Sequence, residues 1–201
     1  DKECRVSVQI APAVRVALGQ EFGLKDGENS MGRIVAALRR MGFNEIFDTS
    51  TGADLTVLEE STEFLEYLNS GDRMMPLFTS CCPAWINFVE KHYPDKIEHL
   101  SSTKSPMSIF SAITKAYYAK HENIAPENIF TVAVMPCIAK KYEAKRPQLA
   151  KNGIQDTDAV ITTRGLIKLI KYIGIDFIDL PEGEFDNPMG ESTGAGAIFG
   201  T

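Results

Sequence analysis

Four cysteines, three histidines and one tryptophan among 201 residues are few, and each scarcity removes a class of protein. Four cysteines in a chain of this size do not make the disulfide lattice of a small secreted domain, and the neighbours Cys81 and Cys82 cannot bridge to each other without strain. They are also too few for a site with four protein ligands in one cluster, so any metal centre built from them looks incomplete. No apolar run approaches the roughly 20 residues of a membrane-spanning helix. The 21 Lys and Arg are outnumbered by 27 Asp and Glu, a formal charge of −6, so no basic stripe is on offer to nucleic acid or an anionic membrane. No Gly-Lys-Ser/Thr phosphate loop occurs, and no G-x-G-x-x-G follows the first apolar run. The glycines between Gly190 and Gly196 suit close backbone approach instead. Neither a signal-peptide core nor a twin-arginine pattern opens the chain. The cytoplasm is therefore the expected compartment, with the periplasm the alternative if a leader has been removed.

What is present is an ordinary globular composition, 44% hydrophobic and 24% charged. Apolar runs of strand length alternate with helical periods, which predicts an α/β fold of mostly parallel strands flanked by helices. Strands are expected over Arg5 to Ala11, Asn44 to Asp48, Met74 to Ser80, Ile129 to Met135 and Asp158 to Thr162. Val132, Ala133 and Val134 mark the fourth as buried on both faces. Met31, Ile34, Val35, Leu38 and Met41 keep helical spacing after a Ser30 cap, and Gly42 ends that helix. Leu58, Ser61, Phe64, Leu65 and Leu68 line one face of the next, stopped near Gly71. Pro12, Pro83 and Pro106 each fall where a helix begins, a position that tolerates the missing N–H. The helix from Pro83 carries Trp85, Phe88, Val89 and His92 on one side; that from Pro106 turns Phe110, Ile113 and Tyr117 inward. Thr163 is expected to cap a last helix with Leu166, Ile167, Ile170 and Ile173 inside and Gly174 at its end. Pro, Gly, Asp and Glu from Asp176 to Gly190 predict a loop. A two-lobed organisation is expected, with 1–147 as a first lobe and 148–201 as the start of a second. The glycine-rich close of the chain predicts a piece of something longer.

The chemistry concentrates where three expected strand ends run into Pro-flanked turns: Ala11-Pro12, Cys82-Pro83 and Pro136-Cys137. The carboxyl ends of parallel strands share one edge of a sheet, and ligands bind there. Cys81, Cys82 and Cys137 can therefore converge, and with Pro83 at the first helical position Cys82 becomes an N-cap, where the helix dipole favours a thiolate. Cys4 reads as a buried cysteine acting as a small hydrophobe. His92, His99 and His121 read as surface residues. Glu60 and Glu63 lie three residues apart on one helical face.

Thr79-Ser80-Cys81-Cys82-Pro83-Ala84-Trp85 and Met135-Pro136-Cys137-Ile138-Ala139-Lys140-Lys141-Tyr142-Glu143 resemble the first two signature motifs of the iron-only (FeFe) hydrogenases, T-S-C-C-P-x-W and M-P-C-x-x-K-x-x-E, in the same order. The segments around Ala11-Pro12, Leu100 to Pro106 and Gly194-Ala195-Gly196 are similar to family sequence as well. The resemblance implies the catalytic domain that holds the H-cluster, a 4Fe–4S cubane joined to a di-iron unit with CO and CN ligands. It implies Cys82 and Cys137 as cubane ligands and Cys81 as the proton-relay thiol, with Glu60, Ser101 and Glu63 continuing the relay. Lys140 would donate to a cyanide, while Ala11, Pro12, Ser105, Met135 and Phe199 would line the pocket, with Met107 at a position that varies in the family. A ferredoxin or another low-potential carrier would be the electron partner, and dihydrogen and protons the substrate.

Two departures accompany the resemblance. Tyr67 stands where some relatives have an Arg at the outer end of the relay. The third motif, with the two remaining cubane ligands, has no counterpart, nor do the Cys-dense ferredoxin-like domains of many relatives. The chain is therefore expected to hold an incomplete H-cluster by itself and to be inactive alone. A hydrogenase-like protein of iron–sulfur assembly that has lost the di-iron unit, and a sensory hydrogenase, are the alternative readings.

Overall fold

A strand that is apolar on both faces needs cover on both sides, and Ile129–Met135 has it in the computed structural model, which describes residues 4–71 and 76–195. This strand, β3, follows β1 (Arg5–Ile10) and β2 (Glu45–Asp48) in the chain. It stands beside β1 in a four-stranded sheet that also holds β6 (Ala159–Thr162), in the order β2-β1-β3-β6 with every pair parallel. In the chain β6 follows the small antiparallel pair β4 (Ala150–Lys151) and β5 (Ile154–Gln155). β6 lies beyond the expected lobe boundary and pairs with β3, so the sheet itself crosses that boundary.

Helices cover the two faces. After the single turn α1 (Val14–Ala17), α2 (Met31–Arg40) packs Ile34, Val35 and Leu38 against Val8 and Ile10. Ser7 and Gln9, the alternate positions of β1, are buried toward the other face. Gln9 donates from Nε2 to the Met107 carbonyl at 2.9 Å and to Ser111 Oγ at 2.8 Å, and accepts from Thr49 Oγ1 at 3.0 Å, which makes a polar side chain tolerable there. That face is covered by α3 (Thr49–Ser70) and α5 (Pro106–Ile113), and α4 (Pro83–His92) is tied through Glu90 to Arg146. The short helices α6 (Ala119–His121) and α7 (Lys140–Glu143) flank β3 in the chain, and α8 (Thr163–Ile173) buries Leu166, Ile167 and Ile170.

Several expectations are corrected. Pro12 sits in a turn, and the first helical turn begins at Val14. Ser30 precedes α2, but its hydroxyl donates to the Arg15 carbonyl at 2.7 Å, and Asn29 Oδ1 takes the Met31 N–H at 3.0 Å. The cap of α8 is Thr162, whose side chain accepts from Gly165 N–H, and Ile173 is 50% exposed. The expected strand from Met74 to Ser80 does not join the sheet over its described residues, 76–80. Phe78 forms one bridge with Leu100, exchanging bonds with the His99 carbonyl and the Ser101 N–H, and Pro76 has no N–H to extend it. Met74 and Met75 lie outside the described residues.

Two helical faces also differ from their periodicity. On α3 the apolar stripe faces outward, with Leu58 62%, Leu65 56% and Leu68 53% exposed. The helix docks instead through small residues of its N-terminal half, Gly52, Ala53 and Thr56. At Gly52 a Cβ would stand 2.3 Å from the Pro106 carbonyl oxygen, so the approach of α5 requires a glycine. Beyond α5 a π-helical turn over Thr114–Tyr118 advances the side-chain register. Tyr118 then enters the core beside Phe47 and Phe110, and Tyr117 is left 58% exposed.

Candidate active site

The carboxyl ends of β1 and β3 are pinned side by side, Ala11 N–H donating to the Val134 carbonyl at 3.0 Å. Ala11-Pro12 and Met135-Pro136-Cys137 thus leave the sheet together. Facing them is the Cys81-Cys82-Pro83 segment, where Cys82 caps α4 and Pro83 occupies its first turn. Ala11, Pro12, Cys81, Met135, Cys137 and Lys140 converge on one cavity of about 180 Å³. Pro106 and Met107 of α5 and Thr49 and Ala53 of α3 complete its wall. Cys81 is half-buried, whereas Cys82 and Cys137 are exposed. Cys4 is exposed too, correcting the expectation of a buried residue. It lies before β1, at the amino ends of the strands, about 20 Å of extended chain from the site edge.

Lys140 joins the two cysteine segments. Its Nζ donates to the Cys81 carbonyl at 2.8 Å and to Glu143 Oε2 at 2.7 Å. Glu143 is buried and also accepts from the hydroxyls of Ser105 and Ser108, at the start of α5. Ser105 is therefore buried against Glu143 and does not line the cavity. Burial pushes the Cys81 thiol above its ordinary value; the Lys140 charge opposes this, and the Glu60 charge adds to it.

Glu60 and Glu63 point from α3 toward the Phe78-to-Ser80 and Ser101-to-Thr103 segments. Burial raises the Glu60 carboxyl, with hydrogen bonds from the Ser80 backbone and Ser101 opposing and Glu63 reinforcing. Its Oε1 is buried with no hydrogen-bond partner. Burial would raise Glu63 as well, but the hydrogen bonds outweigh it and hold that carboxyl below the ordinary range. Ser101 Oγ donates to Glu63 Oε2 at 2.5 Å, and Ser102 donates from N–H and Oγ to Oε1, both at 2.9 Å. Tyr67 stands with Glu63 on the wall of a more open cavity of about 430 Å³. His92 and His121 are exposed, and His99 is partly buried. Phe199 lies outside the described residues. Sequence reasoning gave no part to Glu143, although its spacing of three from Lys140 allows the pair. Thr49, Ala53 and Pro106 were also missed as cavity wall; no local pattern marks them.

Residues 4–201 match the family described as iron only hydrogenase large subunit, C-terminal domain. The chain is 50% identical over 200 residues to the NADP-reducing hydrogenase subunit HndD of Solidesulfovibrio fructosivorans, a match covering 97% of this chain and 34% of that protein. A solved variant of the FeFe-hydrogenase HydA1 from Chlamydomonas reinhardtii superposes with a TM-score of 0.87 at 44% identity, over 95% of this chain and 48% of that one. A weaker likeness, 29% over 187 residues, links it to the cytosolic Fe-S cluster assembly factor narfl of Danio rerio, over 90% of this chain and 45% of that protein. The chain thus spans 34% of the length of HndD and 48% of the solved chain.

Proposed function

The chain belongs to the C-terminal-domain family of the iron-only hydrogenase large subunit, and on that premise we propose that it carries the proton-handling half of an enzyme interconverting protons and electrons with dihydrogen. One observation supports this above the rest: Cys81, Cys137 and Lys140 meet on a single cavity at the carboxyl edge of a parallel sheet. Thiol donors beside an ammonium suit an anionic iron–sulfur group, so the donor chemistry fits an H-cluster. When bound, the H-cluster supplies the iron at which dihydrogen is cleaved or formed and the cubane through which electrons pass.

In this reading Cys82 and Cys137 hold the cubane by their thiolates. Cys4 is at the opposite edge, so two of this chain's four cysteines would serve as cubane ligands. Lys140 orients the cluster through an N–H, and Ala11, Pro12, Met107 and Met135 exclude water from it, with Phe199 assigned to the same lining by resemblance. Ser105 acts one layer back, through Glu143. Cys81 Sγ takes or gives the proton. A half-buried thiol held neutral by burial is a suitable carrier, since it has a proton to move and need not rest as a thiolate. The proton continues through Glu60, the Ser101 hydroxyl and Glu63. A low-potential carrier such as ferredoxin would exchange the electrons, and the cytoplasm is the compartment we favour over the periplasm. Among the described residues no helix is long and apolar enough to cross a membrane.

The full-length protein with Cys81→Ser should keep its iron content and lose hydrogen turnover by on the order of 100-fold or more. Unchanged turnover would remove Cys81 from the relay. Cys137→Ala should instead lower iron content on reconstitution. The assembly-factor likeness supports a second reading, a cluster-bearing protein without di-iron chemistry. Infrared bands of metal-bound CO and cyanide in the matured protein decide for the enzyme, and their absence for the second reading.

A further inference from the structure

We propose that Glu143 is the positioning residue of Lys140, holding its ammonium at the cavity so that one N–H remains free for the bound group; this rests on the reading of the cavity as the cluster site. The two carboxylate oxygens of Glu143 are divided between two tasks. Oε1 accepts from Ser105 and Ser108, anchoring the carboxylate to the start of α5. Oε2 accepts from Lys140 Nζ at 2.7 Å, with the two side chains 6% and 14% exposed. An ammonium has three donors. One goes to Glu143 and one to the Cys81 carbonyl at 2.8 Å, which leaves the third on the side where Lys140 lines the cavity.

A lysine needs such a holder. Its flexible stem gives a compact charge many positions, unlike the rigid fork of arginine. The i, i+3 spacing on α7 brings the carboxylate within reach, but the serines of α5, 38 and 35 residues away in the chain, stop Glu143 from following Lys140 outward. Arg146, further along the chain, is engaged by Glu90 at 2.5 Å.

A purely structural role for Glu143, tying α5 to α7, would need its oxygens but not its charge, and Glu143→Gln separates the two. Its carbonyl oxygen can still accept from the serines, while the charge facing Lys140 is gone. The readout is the 1H–15N ammonium resonance of Lys140 in metal-free, 15N-lysine-labelled full-length protein, assigned by its loss in Lys140→Arg. The unsubstituted protein should show this resonance, protected from water exchange, with a through-hydrogen-bond coupling to the Glu143 carboxyl carbon. Glu143→Gln should abolish the resonance. Ser108→Ala should keep it while lowering the melting temperature. A resonance unmoved in Glu143→Gln overturns the proposal, and so does an unsubstituted protein without the coupling, a result that needs no variant to fold. Because no iron enters the measurement, failure here is distinguishable from failure of the cluster reading.

Discussion

The two sides of the cavity use glutamates in opposed ways. On α7, both oxygens of Glu143 are committed, to two serines and a lysine. On α3, Glu60 has a buried oxygen without a partner, and the one hydroxyl proton of Ser101 is shared between the neighbourhoods of two carboxylates. A group that must hold a charge still is best fully satisfied, because every donated bond deepens one arrangement. A group that must pass a proton needs an alternative arrangement close in energy, and a missing hydrogen bond leaves room for one. The same residue type therefore reads as clamp at Glu143 and, in the proposed relay, as carrier at Glu60, according to how completely its neighbours use it. Glu63, whose two oxygens both accept hydrogen bonds, is satisfied as Glu143 is.

Breaking the clamp should have the largest effect. Glu143→Ala leaves the Lys140 ammonium and two serine hydroxyls without their common acceptor in a poorly hydrated place. Such a loss costs about 3–5 kcal/mol, readable by chemical denaturation of the metal-free protein. A cost below about 1 kcal/mol would mean that water replaces the carboxylate and that the α7 side is no tighter than the α3 side. Next comes the spacing between the two sides, set where α3 crosses α5. Gly52→Ala puts a methyl 2.3 Å from the Pro106 carbonyl oxygen. Because that neighbour is backbone, the helices must part, at about 1–3 kcal/mol. Since Pro106 and Ala53 both line the cavity, iron uptake should fall as well.

How much of this was legible beforehand depended on the range of the interaction. The strand Ile129–Met135 declared itself locally, through consecutive apolar residues that only a doubly covered strand can bury. The Pro-flanked turns at Pro12 and Pro136 do leave the sheet at one edge, and Cys81 and Cys137 share a cavity there although the expected strand before Cys81 does not join the sheet. Lys140 came from the resemblance to the hydrogenase motif. Tyr117 was misread because a π turn shifts the register that a 3.6-residue period assumes, and only the packing of Tyr118 on Phe47 shows the shift. The outward apolar stripe of α3 was misread for another reason. Hydrophobic spacing finds the greasiest face, whereas the docking face was chosen by size, through Gly52 and Ala53. Glu143 escaped because its meaning comes from Ser105 and Ser108, which no local pattern connects to it. Clamps joined across dozens of residues are the part of a site that motifs point to without explaining.

The smallest effects give the sharpest form of the comparison, because they should differ in sign. The Glu63 carboxyl is lower folded than unfolded, so its stabilisation is complete above the unfolded value of about 4.3 and is lost as pH falls through the folded one. Glu63→Gln should therefore destabilise the metal-free protein at pH 7 by about 1 kcal/mol, a figure kept low because the side chain is partly solvated, and the difference should shrink in acid. Glu60 runs the other way. Its folded value is raised, so its favourable contribution is complete below about 4.3 and is lost as pH rises through the folded value. At pH 7 its charge is a liability, and Glu60→Gln should stabilise by a few tenths of a kcal/mol while slowing hydrogen turnover in the full-length protein. A carboxylate retained at a cost to stability is what a relay requires, since activity at such positions is bought with stability. If Glu60→Gln and Glu63→Gln both destabilise at pH 7 and converge on the parent in acid, the two glutamates are alike, and α3 carries a second clamp in place of a path for protons.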